Sequence, residues 1–80
     1  MAPNPARARA RVTYRLPLAA EVRVSLHDVL GREVALVAEA PREAGEHAAW
    51  VETTPLAPGV YVVRVEAGGA PLTSTFLVAR

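Results

Sequence analysis

Few residues of this chain have side chains able to carry out catalysis or to bind a metal. The sequence has one aspartate, two histidines, two serines and no cysteine. His27 and His47 lack a clustered third ligand, so the case for a zinc site is weak. Ser25, His27 and Asp28 are neighbours on one predicted strand, and neighbours on a strand point to alternate faces, which prevents a catalytic relay. Carboxylate pairs at a cleft and phosphate-binding glycine loops are also missing from the pattern. The residues therefore predict a protein that is not an enzyme and has no catalytic, cofactor or metal site.

Length and charge set further bounds on the fold and on the partners. Eighty residues with 51% hydrophobic content suit one small domain, and the absence of cysteine leaves packing as its only source of stability. The net charge of +1 gives no general attraction to nucleic acid. No apolar run is long enough for a membrane-spanning helix, and the basic N-terminus is not followed by the apolar stretch of a signal peptide.

The most regular strand pattern begins at Pro58-Gly59 and continues through residue 66. A Pro-Gly turn leads into β-branched and aromatic residues that alternate with a period of two. Gly59 is expected to adopt a positive φ. The pattern places Tyr61, Val63 and Val65 on one face and Val60, Val62, Arg64 and Glu66 on the other.

Other stretches alternate in the same way. Residues 6–16 place alanines, Val12, Tyr14 and Leu16 inward and a row of arginines outward. We interpret the arginine face as a solvated surface rather than as a docking patch for phosphate or carboxylate groups. Residues 21–28 are expected to place Val22, Val24 and Leu26 inward and Ser25 and His27 outward. Asp28 to Gly31 is a predicted turn.

The remaining strands have less certain faces. Residues 32–39 are apolar on both faces, and 41–45 are a predicted polar loop. In residues 46–52 either Trp50 or Val51 points inward. Counting back along the chain from Gly59 favours the register in which Val51 points inward. His47 is expected to be partly buried with a backbone partner. In the last strand the prediction places Leu72, Phe76 and Val78 in the core. Pro17, Pro41, Pro55 and Pro58 are expected between strands.

Six or seven short strands with turns about every 8–12 residues predict an all-β fold, an antiparallel β-sandwich. The first five residues, with Pro3, Asn4 and Pro5, are interpreted as a linker or hinge, and residues 6–80 as one domain.

The order of these motifs resembles the C-terminal sorting domain of cargo proteins of the type IX secretion system of the Bacteroidota. The similar segments are Pro3-Asn4-Pro5, Val12 to Pro17, the D-x-x-G-R turn with Asp28, Gly31 and Arg32, Ala44-Gly45-Glu46-His47, Leu56 to Arg64 with Gly59, Tyr61 and Val63, and the apolar end at Arg80. The flagellar hook-capping protein has a related immunoglobulin-like domain.

This resemblance implies an immunoglobulin-like sandwich that is a recognition tag and not a catalyst. The implied partners are the outer-membrane translocon, its shuttle protein, a sortase-like peptidase that removes the domain, and an N-terminal cargo domain; no nucleic acid is implied. Cargo with such a domain is secreted or attached to surface lipopolysaccharide. Two alternatives remain open: an immunoglobulin-like spacer or adhesion domain of a surface protein, and a small enzyme domain disfavoured by the missing catalytic groups.

Overall fold

The computed structural model describes residues 9–79, which form six antiparallel strands in two sheets. The smaller sheet has the order β1-β4 and the larger sheet the order β3-β2-β5-β6. The strands are β1 (Arg9–Leu16), β2 (Ala20–Asp28), β3 (Glu33–Arg42), β4 (Gly45–Glu52), β5 (Gly59–Ala67) and β6 (Ala70–Ala79). This arrangement confirms the predicted all-β sandwich.

The core lies between the two sheets and is formed mainly by the inward side chains of β1, β2, β4 and β5, together with Ala79 of β6. The central pair of the large sheet, β2 and β5, places Val24 opposite Val65 and Leu26 opposite Val63, and all four are at most 1% exposed. The small sheet covers them with Val12, Tyr14, Leu16, Ala49 and Val51. Burial of these branched side chains is the main stabilising term, because no disulfide supports the fold. The predicted inward faces of β1, β2 and β5 are confirmed.

Strand β4 has the register that the sequence favoured. Val51 is 2% exposed and packs in the core, whereas Trp50 points outward and is 52% exposed. His47 is partly buried, and its Nε2 lies 2.7 Å from the carbonyl oxygen of Glu43, the backbone partner that was expected.

The faces assigned to the last strand were partly wrong. Leu72 packs against the core as predicted, but Phe76 is 78% exposed and Val78 is 55% exposed, and the inward positions belong to Leu77 and Ala79. The cause is a register shift in the pairing of β5 with β6, where one extra residue of β6 stands between the partners of Val65 and Glu66. Because side chains alternate between the two faces of a strand, an extra residue moves every later side chain to the opposite face.

Strand β3 also departs from the prediction. Its pairing with β2 has two register shifts, so Val37 and Ala38, although adjacent, both pack against the core. Pro41 lies inside β3 and not in a loop, which is tolerated because β3 is an edge strand of the sheet that the described residues 9–79 form. The connection to β4 is therefore only residues 43 and 44.

The inverted phase of β6 predicts different costs for two adjacent truncations. Phe76→Ala should change the free energy of unfolding by no more than about 0.5 kcal/mol, as expected for an exposed site. Leu77→Ala should destabilise the fold by about 1 kcal/mol or more, because Leu77 loses contacts with the core. Urea unfolding measures both values. A larger loss for Phe76→Ala than for Leu77→Ala would contradict the register.

Candidate recognition surface

The hairpin between β2 and β3 is organised by one carboxylate. The backbone N–H groups of Leu30 and Arg32 each donate to Asp28 Oδ1 at 3.0 Å, and Arg32 Nε donates to Oδ2 at 2.8 Å. Gly31 N–H donates to the Asp28 carbonyl at 3.0 Å, and Gly31 has a φ of 87°, in the left-handed region that side chains disfavour. Asp28, Gly31 and Arg32 therefore form the predicted turn, and the side chains of Asp28 and Arg32 support the turn itself.

These hydrogen bonds alter the acidity of Asp28. The pKa of its carboxyl group lies below the usual value, chiefly because the Arg32 N–H donates to the ionised form, helped by the Arg32 guanidinium and the Leu30 N–H. Partial burial acts in the opposite direction but does not outweigh these donors.

Ser25 and His27 are buried, which corrects the prediction that both face solvent. Ser25 is 0% and His27 6% exposed, and Ser25 Oγ lies 2.9 Å from His27 Nε2. Residues two apart share a face, so the two side chains meet, contrary to the sequence argument against contact. β2 lies in the middle of its sheet, with Leu36 and Arg64 opposite Ser25 and with Glu33 and Val62 opposite His27. Side chains from both neighbouring strands therefore flank this pair.

The other ring nitrogen of His27 holds the hairpin rather than a catalytic carboxylate. His27 Nδ1 lies 3.3 Å from the carbonyl oxygen of Gly31. A backbone carbonyl thus occupies the place that the acidic residue has in a Ser-His-Asp relay. We interpret Ser25 and His27 as a buried structural link between the middle of the sheet and the turn.

The outer face of the large sheet has a charged half centred on Arg23. Its guanidinium forms a bidentate ion pair with the Glu33 carboxylate, with N···O distances of 3.0 and 2.9 Å. It also lies 3.6 Å from the Glu39 carboxylate and 3.9 Å from that of Glu66. The hydrogen bonds from Arg23 lower the pKa of Glu33. All four side chains are partly exposed, so the network is solvated and each pair adds little to stability.

The other half of the same face is apolar. Val62 stands opposite Phe76 and Val60 opposite Val78, so four apolar side chains form two adjacent cross-strand pairs. Three of them are exposed by 43% or more, and Phe76 by 78%. We call Val60, Val62, Phe76 and Val78 the apolar patch. Such a patch, bordered by charged residues, is typical of a protein interaction surface.

The segment Leu56 to Arg64, in contrast, is a structural element. Gly59 has a positive φ of 156° as β5 begins, and no atom lies within 4 Å of where a Cβ would be. Tyr61 is 9% exposed and its hydroxyl donates to the Ala57 carbonyl at 2.5 Å, a contact that ties the β4–β5 connection to the core. Val63 is fully buried. None of the three presents a broad side-chain surface to a partner.

The row of arginines on β1 faces outward, as expected. Arg9 lies 3.9 Å from Glu52, Arg15 lies 3.8 Å from Glu46, and the Arg9 guanidinium carbon lies 5.2 Å from the Trp50 ring centroid. Gly45, with a φ of 124°, begins β4 opposite Leu16. Exposed ion pairs of this length support the interpretation of a solvated face over a phosphate site.

Four of the singled-out positions, Pro3, Asn4, Pro5 and Arg80, lie outside the described residues. Among residues 9–79 no group of three or more His, Asp or Glu side chains is placed to hold a metal ion. Within the same range no helix is long and apolar enough to cross a membrane.

The sequence reasoning missed the apolar patch because it placed Phe76 and Val78 in the core. A signal was available: Thr73, Ser74 and Thr75 give no apolar alternation, which left the phase of the last five residues unfixed. The burial of Ser25 and His27 had no comparable signal, because it depends on the strand order.

Comparison with known proteins gives one match. The family described as "Secretion system C-terminal sorting domain" matches residues 1–79. No curated protein and no solved structure matches the chain.

The lowered pKa of Asp28 predicts how stability changes with acid. The ionised carboxylate is favoured in the folded chain, so its contribution is fully present above 3.8, its ordinary value, and is lost as the pH falls through the lower folded value. Asp28→Asn, which keeps an acceptor oxygen but no charge, should therefore lower the urea midpoint near neutral pH and much less in strong acid. A difference between the two proteins that stays constant over this range would contradict the assignment.

Proposed function

Because this chain belongs to the family of secretion system C-terminal sorting domains, which are signals for type IX secretion, we propose that the translocation machinery recognises it as a folded unit through the apolar patch. The domain is attached to a cargo protein and directs that cargo to the cell surface or the exterior. Members of this family are generally non-catalytic, and the proposal gives the domain the role of a ligand for the export machinery.

The exposure of Phe76 is the observation that carries this proposal. A phenylalanine with 78% of its surface in water contributes little to the core, although the domain is small and depends on packing. The register pairs Phe76 with Val62, which gives a second apolar side chain beside it. Aromatic residues with an apolar neighbour and a polar border are the usual anchors of protein interfaces.

The size of the apolar patch suits a transient contact. Four side chains supply much less than the roughly 800 Å² per partner that stable complexes bury. A sorting signal has to be released after transport, so weak binding agrees with the role. Export would therefore depend on several weak contacts.

Strand β6 offers a further contact next to the apolar patch. Within residues 9–79 it is an edge strand of the large sheet, with no strand paired on its outer side. Such edges present backbone N–H and C=O groups to a partner. Thr73, Ser74 and Thr75 give this strand a polar middle section. A partner strand can add to such an edge by backbone hydrogen bonds while its side chains meet the apolar patch.

The finer steps of the pathway are also part of the proposal. Residues 1–5 serve as a hinge from the cargo domain to the sorting domain, which comprises residues 6–80. A sortase-like peptidase removes the domain after transport, and the cargo is attached to surface lipopolysaccharide. The shuttle protein and the translocon are the partners that bind the sandwich. Gly59, Tyr61 and Val63 act by maintaining the fold.

A fusion experiment tests the sorting role. A fluorescent protein with its own signal peptide is joined to residues 1–80 and expressed in a host with the type IX system. We expect fluorescence at the cell surface or in the medium, with loss of this signal in a translocon mutant, and mass spectrometry should show cargo without the domain.

The control is the same fluorescent protein without the domain, which should stay in the periplasm. Periplasmic retention of the folded fusion would contradict the sorting role and favour a spacer domain. Export of intact, uncleaved fusion would contradict only the removal step.

A further inference from the structure

The turn between β2 and β3 displays two aliphatic side chains. A hydrogen bond from the Gly31 N–H to the Asp28 carbonyl closes a four-residue turn, and Val29 and Leu30 occupy its two central positions. Val29 is 70% and Leu30 is 76% exposed. Turn positions are usually filled by glycine, proline, asparagine, aspartate or serine, so the turn itself does not explain why two aliphatic residues stand there. We call Val29 and Leu30 the turn tip.

The residues on either side hold the turn tip rigidly. The Asp28 carboxylate accepts three hydrogen bonds, from the N–H groups of Leu30 and Arg32 and from Arg32 Nε. The Asp28 N–H donates to the Arg32 carbonyl at 2.9 Å, and the Gly31 carbonyl oxygen lies 3.3 Å from Nδ1 of the buried His27. A turn fixed in this way loses little conformational freedom when a partner binds it, which favours a role in recognition.

The turn tip lies at the end of the large sheet that carries the apolar patch. Asp28, the last residue of β2, is opposite Tyr61 of β5. Because neighbouring strands are about 4.8 Å apart, the turn begins close to the residue before Tyr61, which is Val60 of the apolar patch. Val60 is in turn opposite Val78. A partner seated on the apolar patch is therefore within reach of the turn tip.

The charge around the turn tip favours a protein partner over a lipid surface. Residues 28–33 contain two carboxylates and one guanidinium, and that guanidinium, of Arg32, is paired with Asp28 at 2.8 Å. Segments that bind membrane surfaces combine their apolar residues with an excess of basic ones, and residues 28–33 have no such excess. Two projecting aliphatic side chains instead match a pocket lined by apolar side chains of another protein.

We propose that the turn tip is a second anchor of the interface that begins at the apolar patch, and that the same export partner receives Val29 and Leu30 in an apolar pocket. This inference rests on the proposed function and extends the recognition surface from one face of the sheet to its end. Asp28, Gly31 and Arg32 then hold the turn in shape, and the two side chains between them make the contact.

Surface display of the fluorescent fusion tests the proposal. Leu30→Asn places a residue that turns favour at the tip, and Leu18→Asn makes the same change at an equally exposed position, 76%, at the other end of β2. Hydrogen-exchange protection of the amides at positions 30 and 32 shows that the turn is intact. We expect display to fall about tenfold for Leu30→Asn, because a buried leucine contributes at least that much to binding, and to be unchanged for Leu18→Asn.

Val29→Thr is a second, milder variant of the turn tip. It keeps the branched shape of the side chain and adds only a hydroxyl group, so the fold should be preserved. Display should fall in the same direction as for Leu30→Asn, because the hydroxyl group would be buried in an apolar pocket.

The Phe76→Glu fusion, measured in the same assay, separates failure of this inference from failure of the proposed function. Equal display of Leu30→Asn and Leu18→Asn, together with loss for Phe76→Glu, would overturn the second anchor and leave the apolar patch in place. Periplasmic retention of the unchanged fusion, or normal display of Phe76→Glu, would overturn both. Binding of the 80-residue chain to phosphatidylglycerol vesicles that Leu30→Asn abolishes would overturn the protein pocket in favour of a lipid surface.

Discussion

The pairing of β2 with β5 is the interaction on which the rest of the structure depends. Val24 with Val65 and Leu26 with Val63 form the centre of the core, and these four side chains are nearly inaccessible to water. Without disulfides, an 80-residue domain obtains its stability from this apolar contact and from the small sheet that covers it. Because strand side chains alternate with a period of two, this inner row also fixes which residues of β2 and β5 point outward.

The two flanking strands do not follow that phase along their full length. β3 and β6 each join the central pair with register shifts. The shifts are tolerated because an edge strand has hydrogen-bond partners on one side only. The shift in β6 leaves Phe76 and Val78 exposed on one flank of the large sheet. The apolar patch is therefore a consequence of an irregular edge strand beside a regular centre.

The sequence was sufficient to predict the faces of the central strands and insufficient to predict those of the edge strands. Tyr61, Val63 and Val65 alternate without interruption, and Asp28 and Gly31 are typical of a turn, so these features were predicted correctly. The phase of β6 was wrong because its threonines and serine give no apolar alternation that would fix the phase beyond the extra residue. Ser25 and His27 were predicted to be exposed because strand order, which buries them in the middle of a sheet, cannot be read from local alternation.

We propose that export depends on the exposed apolar patch of a folded domain. The most direct measurement compares surface display of the fluorescent fusion carrying Phe76→Glu with the fusion carrying Leu18→Glu, after circular dichroism has shown that both domains are folded. Phe76 and Leu18 are 78% and 76% exposed, so the two changes place the same charge at equally exposed positions. We expect the Phe76→Glu fusion to lose most of its surface display and the Leu18→Glu fusion to retain it. Equal display of the two folded variants would contradict the proposal.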